Sequence, residues 1–322
     1  MKAIRIHEFG GPDVMRFEEV EVGAPGPGEV LIDQRAIGLN YIDVYQRSGA
    51  YPNPLPLIIG SEGSGDVVAV GPDVTEVKPG DRVAYGTALG AYAERRIVAA
   101  RHLVRLPDAI AYETGAVMML KGMTAEYLLR RTYKVAPGDI ILVHAAAGGV
   151  GLILTQWGKA LGATVIGTAG SEEKAEAARR HGADHVILYR REDVAARVRE
   201  ITGGALCNVV YDGVGKATFE GSLDSLRPFG TFVSFGSASG PVESFNIGVL
   251  AQKGSLYATR PTLFTHAAKR EDLVDMARNV MEVIASGAVK IDVATRHPLR
   301  DAAAAHRALE ARETVGATVL LP

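Results

Sequence analysis

The sequence contains a single cysteine, Cys207, in 322 residues. A lone thiol excludes an intrachain disulfide framework and any zinc site built from several cysteines. Its setting, Leu206 to Tyr211, is apolar and β-branched. Cys207 is therefore expected as a small buried core residue rather than a nucleophile, in a chain of the reducing cytoplasm. An excess of one charge is missing too. The 35 basic and 37 acidic residues nearly cancel, and neither sign forms a long block, which argues against nucleic acid, an acidic partner or a membrane surface. No apolar run is long enough to span a bilayer, and Met1 to His7 alternates like a first strand without the apolar core of a signal peptide. The eight histidines are scattered. His181 and His185 are spaced i, i+4, but Gly182 between them is expected to end the helix, so no metal is expected.

What is present points to two domains, given the chain length and an apolar fraction of 47%. Residues 1 to about 120 read as short strands broken by turns such as Gly26-Pro27-Gly28 and Lys78-Pro79-Gly80-Asp81, with little long helical periodicity. From residue 122, strands such as Ile140–Val143, Thr164–Gly167, Val186–Leu188, Val209–Tyr211 and Thr231–Phe235 alternate with helical segments, the pattern of a parallel, doubly wound α/β sheet. Helices over Glu271 to Ser286 and Asp301 to Arg312 precede a last strand, Ala317 to Leu321. This tail is expected to return to the first region, which gives domains at 1–121, 122–262 and 263–322.

Two glycine-rich stretches compete for the role of phosphate cradle. Gly60-Ser61-Glu62-Gly63-Ser64-Gly65 reads as a loop, but a strand-like run follows it where a phosphate site needs a helix. Ile141 to Gly151 has a buried strand before it and an amphipathic helix after it, with Gly148 and Gly151 at the second and third glycine positions of the dinucleotide fingerprint and Ala146 at the first. The alternative is a purely structural tight turn. At the end of the next strand, where an NAD site carries a carboxylate, stand Ala169, Gly170 and Ser171, with Lys174 one turn into the helix. NADP(H) is therefore preferred, Ser171 and Lys174 being candidates for the 2′-phosphate. Glu172 and Glu173 keep open the reading of Lys174 as an ordinary solvated lysine.

The segments Ala36 to Pro52, Gly60 to Gly71, Lys78 to Val83, Leu120 to Leu129, His144 to Gly151, Val209 to Gly215 and Phe229 to Gly236 resemble, in order and over essentially the whole chain, the zinc-free quinone oxidoreductases related to ζ-crystallin. These belong to the medium-chain dehydrogenase/reductase superfamily. The resemblance implies a GroES-like β-rich catalytic domain plus a Rossmann domain. Zinc alcohol dehydrogenases of the superfamily have a metal-binding His and Cys where this sequence has Ser61 and Asn40, which argues against catalytic zinc. Without a Lewis acid, a quinone or other conjugated carbonyl is a more suitable partner for hydride transfer than an alcohol.

The resemblance also implies site residues. Asn40 and Tyr45 are expected beside the nicotinamide and the quinone. Tyr51 matches the acid of related enoyl reductases, so either phenol is a candidate proton donor or a packing tyrosine. Arg260 is expected either near the acceptor or paired with a carboxylate. Thr124, Tyr127, Gly149, Val150, Tyr189, Phe235, Ser239 and Arg312 join Gly148, Gly170, Ser171 and Lys174 as expected NADPH contacts. The leading function is a cytoplasmic NADPH:quinone oxidoreductase, expected as a homodimer. An NADPH-dependent enoyl or alkenal reductase and a non-catalytic NADPH-binding, RNA-associated protein are the alternatives. Glu62 has no assigned role.

Overall fold

The computed structural model describes residues 1–322, which divide into two compact units. The first comprises Met1–Met123, Ala267–Val280 and Ile291–Pro322; the second comprises Thr124–His266 and Met281–Lys290. The stretch Met281–Lys290 thus groups with the second unit and not with the rest of the tail. Gln156 anchors it there, donating to Lys290 O and accepting from Lys290 N–H.

The first unit is built from β1 (Lys2–Ile6), β2 (Arg16–Glu19), β3 (Glu29–Gly38), α1 (Tyr41–Ser48), β4 (Leu57–Ile58), β5 (Glu62–Val70), β6 (Arg82–Tyr85), β7 (Arg95–Ala99), β8 (Val104–Arg105) and the start of α2 (Tyr112–Tyr127). The second unit continues with β9 (Ile140–Val143), α3 (Gly149–Ala160), β10 (Thr164–Ala169), α4 (Glu172–Arg180), β11 (His185–Leu188), α5 (Val194–Ile201), β12 (Cys207–Asp212), α6 (Phe219–Asp224), β13 (Leu226–Ser234), α7 (Gly248–Gln252), β14 (Tyr257–Thr259) and α8 (Leu263–His266). After α9 (Arg270–Ala285), the chain ends with β15 (Val293–Pro298), α10 (Ala302–Glu310) and β16 (Ala317–Leu321).

In the first unit β16 pairs antiparallel with β3, so the chain end completes the order β15-β16-β3-β5-β6-β8, with β7 also on β3. Its core gathers Ile4, Ile32, Ile37, Val83, Tyr85 and Leu103. The second unit is a six-strand parallel sheet ordered β11-β10-β9-β12-β13-β14. That order reverses direction between β9 and β12, and ligands of such sheets bind outside the strand C-termini at the reversal. Cys207 opens β12 fully buried, its thiol pushed up to about 12 by burial.

Two local readings need correction. Residues 62–65 of the Gly60 to Gly65 stretch are not a loop but the first residues of β5. Gly60 turns the chain at φ +92 beside the Tyr92 ring, and a Cβ on Gly65 would lie 2.0 Å from Asp33 O, so these glycines serve close strand packing. The second is α1, whose helix was not apparent among the turns of the first region. Asn40 is its extended N-cap, Asp43 accepts the Asn40 N–H at 2.9 Å, and Gly49 closes it at φ +83. The Asn-x-x-Asp start and the glycine after Ser48 are the signals that mark it.

Beneath α1 runs a buried polar chain. Arg47 makes a bidentate pair with Glu310 and donates to His306 Nδ1 at 3.0 Å; His306 Nε2 meets Tyr92 Oη at 3.0 Å; Tyr92 donates to Asp43 Oδ2 at 2.9 Å. Burial pushes the Asp43 carboxyl up to about 7, and burial with Arg47 pushes the His306 imidazole down to about 3. A raised carboxyl stabilises the fold at low pH and loses that contribution as pH rises towards 7. A depressed imidazole stabilises at high pH and loses its contribution as pH falls towards 3. The two oppose each other below about pH 6.5. Asp43→Asn should therefore make stability fall more steeply on acidification than in the parent, as measured by urea unfolding from pH 7 to 4. An unchanged pH slope would contradict this assignment.

Candidate active site

The second unit carries the anion-binding geometry. β9 ends at Val143, and the chain turns through Ala145, at φ +52, to Gly148, the N-cap of α3. A Cβ on Gly151 would come within 2.2 Å of Ala145 O, so the turn closes only on glycine. Gly149 and Val150 form the first turn of α3, whose free N–H groups and positive dipole end favour an anion.

At the ends of β10 and β11 lies a pocket of about 240 Å³ lined by Gly170, Ser171, Glu172, Leu188, Arg190 and Arg191. Ser171 caps α4, its Oγ accepting from Lys174 N–H at 3.4 Å. The Tyr189 hydroxyl lies 2.6 Å from where a Cβ of Gly170 would stand. Glu172 is drawn to Arg179 at 2.8 Å. Arg190 and Arg191 are the basic side chains of this pocket and were missed in the sequence. The pair directly follows the Val186–Leu188 strand and Tyr189, which is the signal that points to them. Lys174 is not among the lining residues.

The remaining expected contacts of this unit divide between loops and packing. The Phe235 ring lies over Gly213, and Ser239 Oγ donates to Val214 O while accepting Ala217 N–H, both just after β12 and β13. Arg260 is exposed and donates to Ser234 O at 2.9 Å and Ser237 Oγ at 3.3 Å, rather than to a carboxylate. Tyr127 is buried and stacks on His266 at 4.5 Å; Thr124 is buried in α2.

In the first unit α1 brings Asn40 and three tyrosines together. The Tyr41 and Tyr45 rings are 5.3 Å apart, and Tyr45 and Tyr51 are 5.0 Å apart, with Tyr51 exposed. Arg312, at φ +59 after α10, lies within electrostatic reach of Tyr41, whose phenol burial pushes up. Asn40 Nδ2 donates to Glu62 Oε2 and Ser61 Oγ accepts from Gln46 Nε2 at 2.8 Å. Glu62 also accepts from Lys121 Nζ, a cation standing where a second cation would be repelled. No three His, Cys, Asp or Glu side chains converge in a metal-holding cluster. These donors do not fit a zinc ion.

A β-rich unit joined to a parallel sheet of this strand order, with a glycine turn at the reversal, defines a medium-chain dehydrogenase/reductase. Residues 26–108 match the alcohol dehydrogenase GroES-like domain family, and residues 149–278 match the family described as zinc-binding dehydrogenase. The chain is 54% identical to a quinone oxidoreductase of Pseudomonas aeruginosa, over 100% of its own length and 99% of the relative's. It is 45% identical to a 2-haloacrylate reductase of a Burkholderia species, over 98% of each. The crystal structure of Escherichia coli quinone oxidoreductase complexed with NADPH superposes with a TM-score of 0.98 at 48% identity, covering 100% of both chains. The chain belongs to the zinc-free quinone oxidoreductase family of the medium-chain dehydrogenase/reductases.

Proposed function

We propose that this chain transfers hydride from NADPH to a quinone without a metal, as a homodimer of the cytoplasm. The observation that carries the reading is the basic pocket at the ends of β10 and β11. It combines a glycine, a helix-capping serine and two arginines, with its one carboxylate drawn off by Arg179. Such a pocket suits a 2′-phosphate, whereas an NAD site presents a carboxylate to the ribose. The α3 turn from Gly148 to Val150 takes the pyrophosphate. Phe235, Ser239, Arg260, Thr124, Tyr127 and Arg312 are proposed as further cofactor or substrate contacts.

NADPH supplies the hydride. The substrate oxygen then gains negative charge, and the Tyr45 and Tyr51 phenols are the O–H groups proposed to bond or protonate it. Asn40 is proposed to orient the reacting groups. Homodimer formation is supported by β14, an edge strand with Tyr257 exposed. A cytoplasmic location is supported by the single, buried cysteine, and no helix is long and apolar enough to cross a membrane.

A second reading, reduction of an activated carbon–carbon double bond, is favoured by the likeness to the 2-haloacrylate reductase. Turnover of NADPH with a panel of quinones, enones and haloacrylate decides between them, and dominant turnover on the unsaturated acid or enone overturns the first. Arg190→Ala and Arg191→Ala test the pocket. At least one should raise the KM for NADPH roughly tenfold, the scale of a lost charge-assisted bond, and leave that for NADH unchanged. Equal effects on both coenzymes would remove the phosphate assignment.

A further inference from the structure

Glu62 is a buried charge that the proposed chemistry leaves unused. It is 0% exposed in β5, and the groups bonded to it are all donors. Asn40 Nδ2 and Lys121 Nζ each reach Oε2 at 2.9 Å, and the Leu120 N–H reaches Oε1 at 2.8 Å. Three donors hold the side chain as an acceptor-only carboxylate, and buried Lys121 supplies the matching charge. The approach of β3 is shaped to it. A Cβ on Gly38 would lie 2.6 Å from Glu62 Oε2 and 2.1 Å from Ala116 O.

The consequence falls on Asn40. The two ends of a primary amide have nearly the same shape, so only hydrogen-bond partners decide which way it faces. A carboxylate accepts only the NH₂ end. Nδ2 donates to Glu62 and also, at 3.3 Å, to Gly38 O, which turns Oδ1 away from Glu62. We infer that the Lys121–Glu62 ion pair is a positioning element of the reaction site, fixing which end of the Asn40 carboxamide faces cofactor and substrate. Neither Lys121 nor Glu62 acts on the reactants directly; both act through Asn40. The inference rests on the proposed placing of Asn40 at the reacting end.

The test uses the full chain as Asn40→Asp, Glu62→Gln and the double variant, with melting temperature, kcat and the NADPH dissociation constant measured on each. Asn40→Asp sets one carboxylate against another and should lower both stability and kcat. Glu62→Gln removes the carboxylate that orients the amide and should lower kcat roughly tenfold, as the loss of one charged hydrogen bond does. The double variant restores a donor–acceptor pair with its direction reversed and keeps one carboxylate for Lys121. Its melting temperature should return close to that of the parent, which assigns the instability of Asn40→Asp to the two opposed carboxylates. A Glu62→Gln variant with unchanged kcat and NADPH affinity would overturn the inference. If the parent reduces no quinone, the activity reading falls on its own. NADPH affinity across the same four proteins then decides the positioning role.

Discussion

Lys121→Met is expected to lower the unfolding free energy by about 3–5 kcal/mol, the usual cost of removing one partner of a buried ion pair. The size follows from what remains. Glu62, with no solvent exposure, would keep only two neutral donors, Asn40 Nδ2 and the Leu120 N–H, around a full negative charge. An exposed pair provides the control. Arg307 bonds Asp13 at the surface, where the aspartate is 87% exposed, and Arg307→Ala should cost less than about 1 kcal/mol. Urea unfolding of both variants at neutral pH makes the comparison. A loss for Lys121→Met no larger than that for Arg307→Ala would show that the pair is not the buried junction described above. Restoring part of the loss by adding Glu62→Gln would show that the stranded charge, and not the missing lysine packing, is the cause.

Gly151→Ala and Gly148→Ala should separate two uses of glycine in one turn. At Gly151 a Cβ would meet backbone, Ala145 O at 2.2 Å and Ala146 atoms at 2.9 Å, which cannot swing aside as a side chain does. The turn must open, so Gly151→Ala should lose stability by roughly 1–3 kcal/mol, the range for overpacking, and lose NADPH affinity with it. At Gly148 the nearest atom to a Cβ is Ala145 O at 3.2 Å, a tight but nearly tolerable approach. Gly148→Ala should fold almost as well as the parent yet bind NADPH on the order of tenfold more weakly, because the added methyl would stand in the proposed pyrophosphate site. Thermal melting with and without NADPH reads both effects. Equal loss of stability in the two variants would mean that Gly148 serves packing alone.

The nucleotide sheet was legible because buried parallel strands and amphipathic helices leave short-range patterns. Ile140 to Val143, Thr164 to Ala169 and the α3 face each declare themselves within a dozen residues. The glycine turn between β9 and α3 was legible for the same reason, since its helix follows directly in sequence. The first unit was harder to read. α1 is short and polar, and its helix depends on caps at both ends. The glycines from Gly60 to Gly65 looked like a loop because their packing partners, Tyr92 and Asp33, lie at a distance along the chain.

Sequence alone therefore determined the class of fold and the strand, glycine turn and helix of β9 and α3. Each of these depends on residue type at a local spacing. Only the tertiary structure decided what surrounds Glu62. Its partners Asn40, Leu120 and Lys121 come from two other segments, and folding a β-rich unit brings them within 3 Å of one carboxylate. The same applies to Arg190 and Arg191, which become a pocket with Ser171 only when β10 and β11 pair in register. Long-range pairing sets these distances, and no local periodicity carries it.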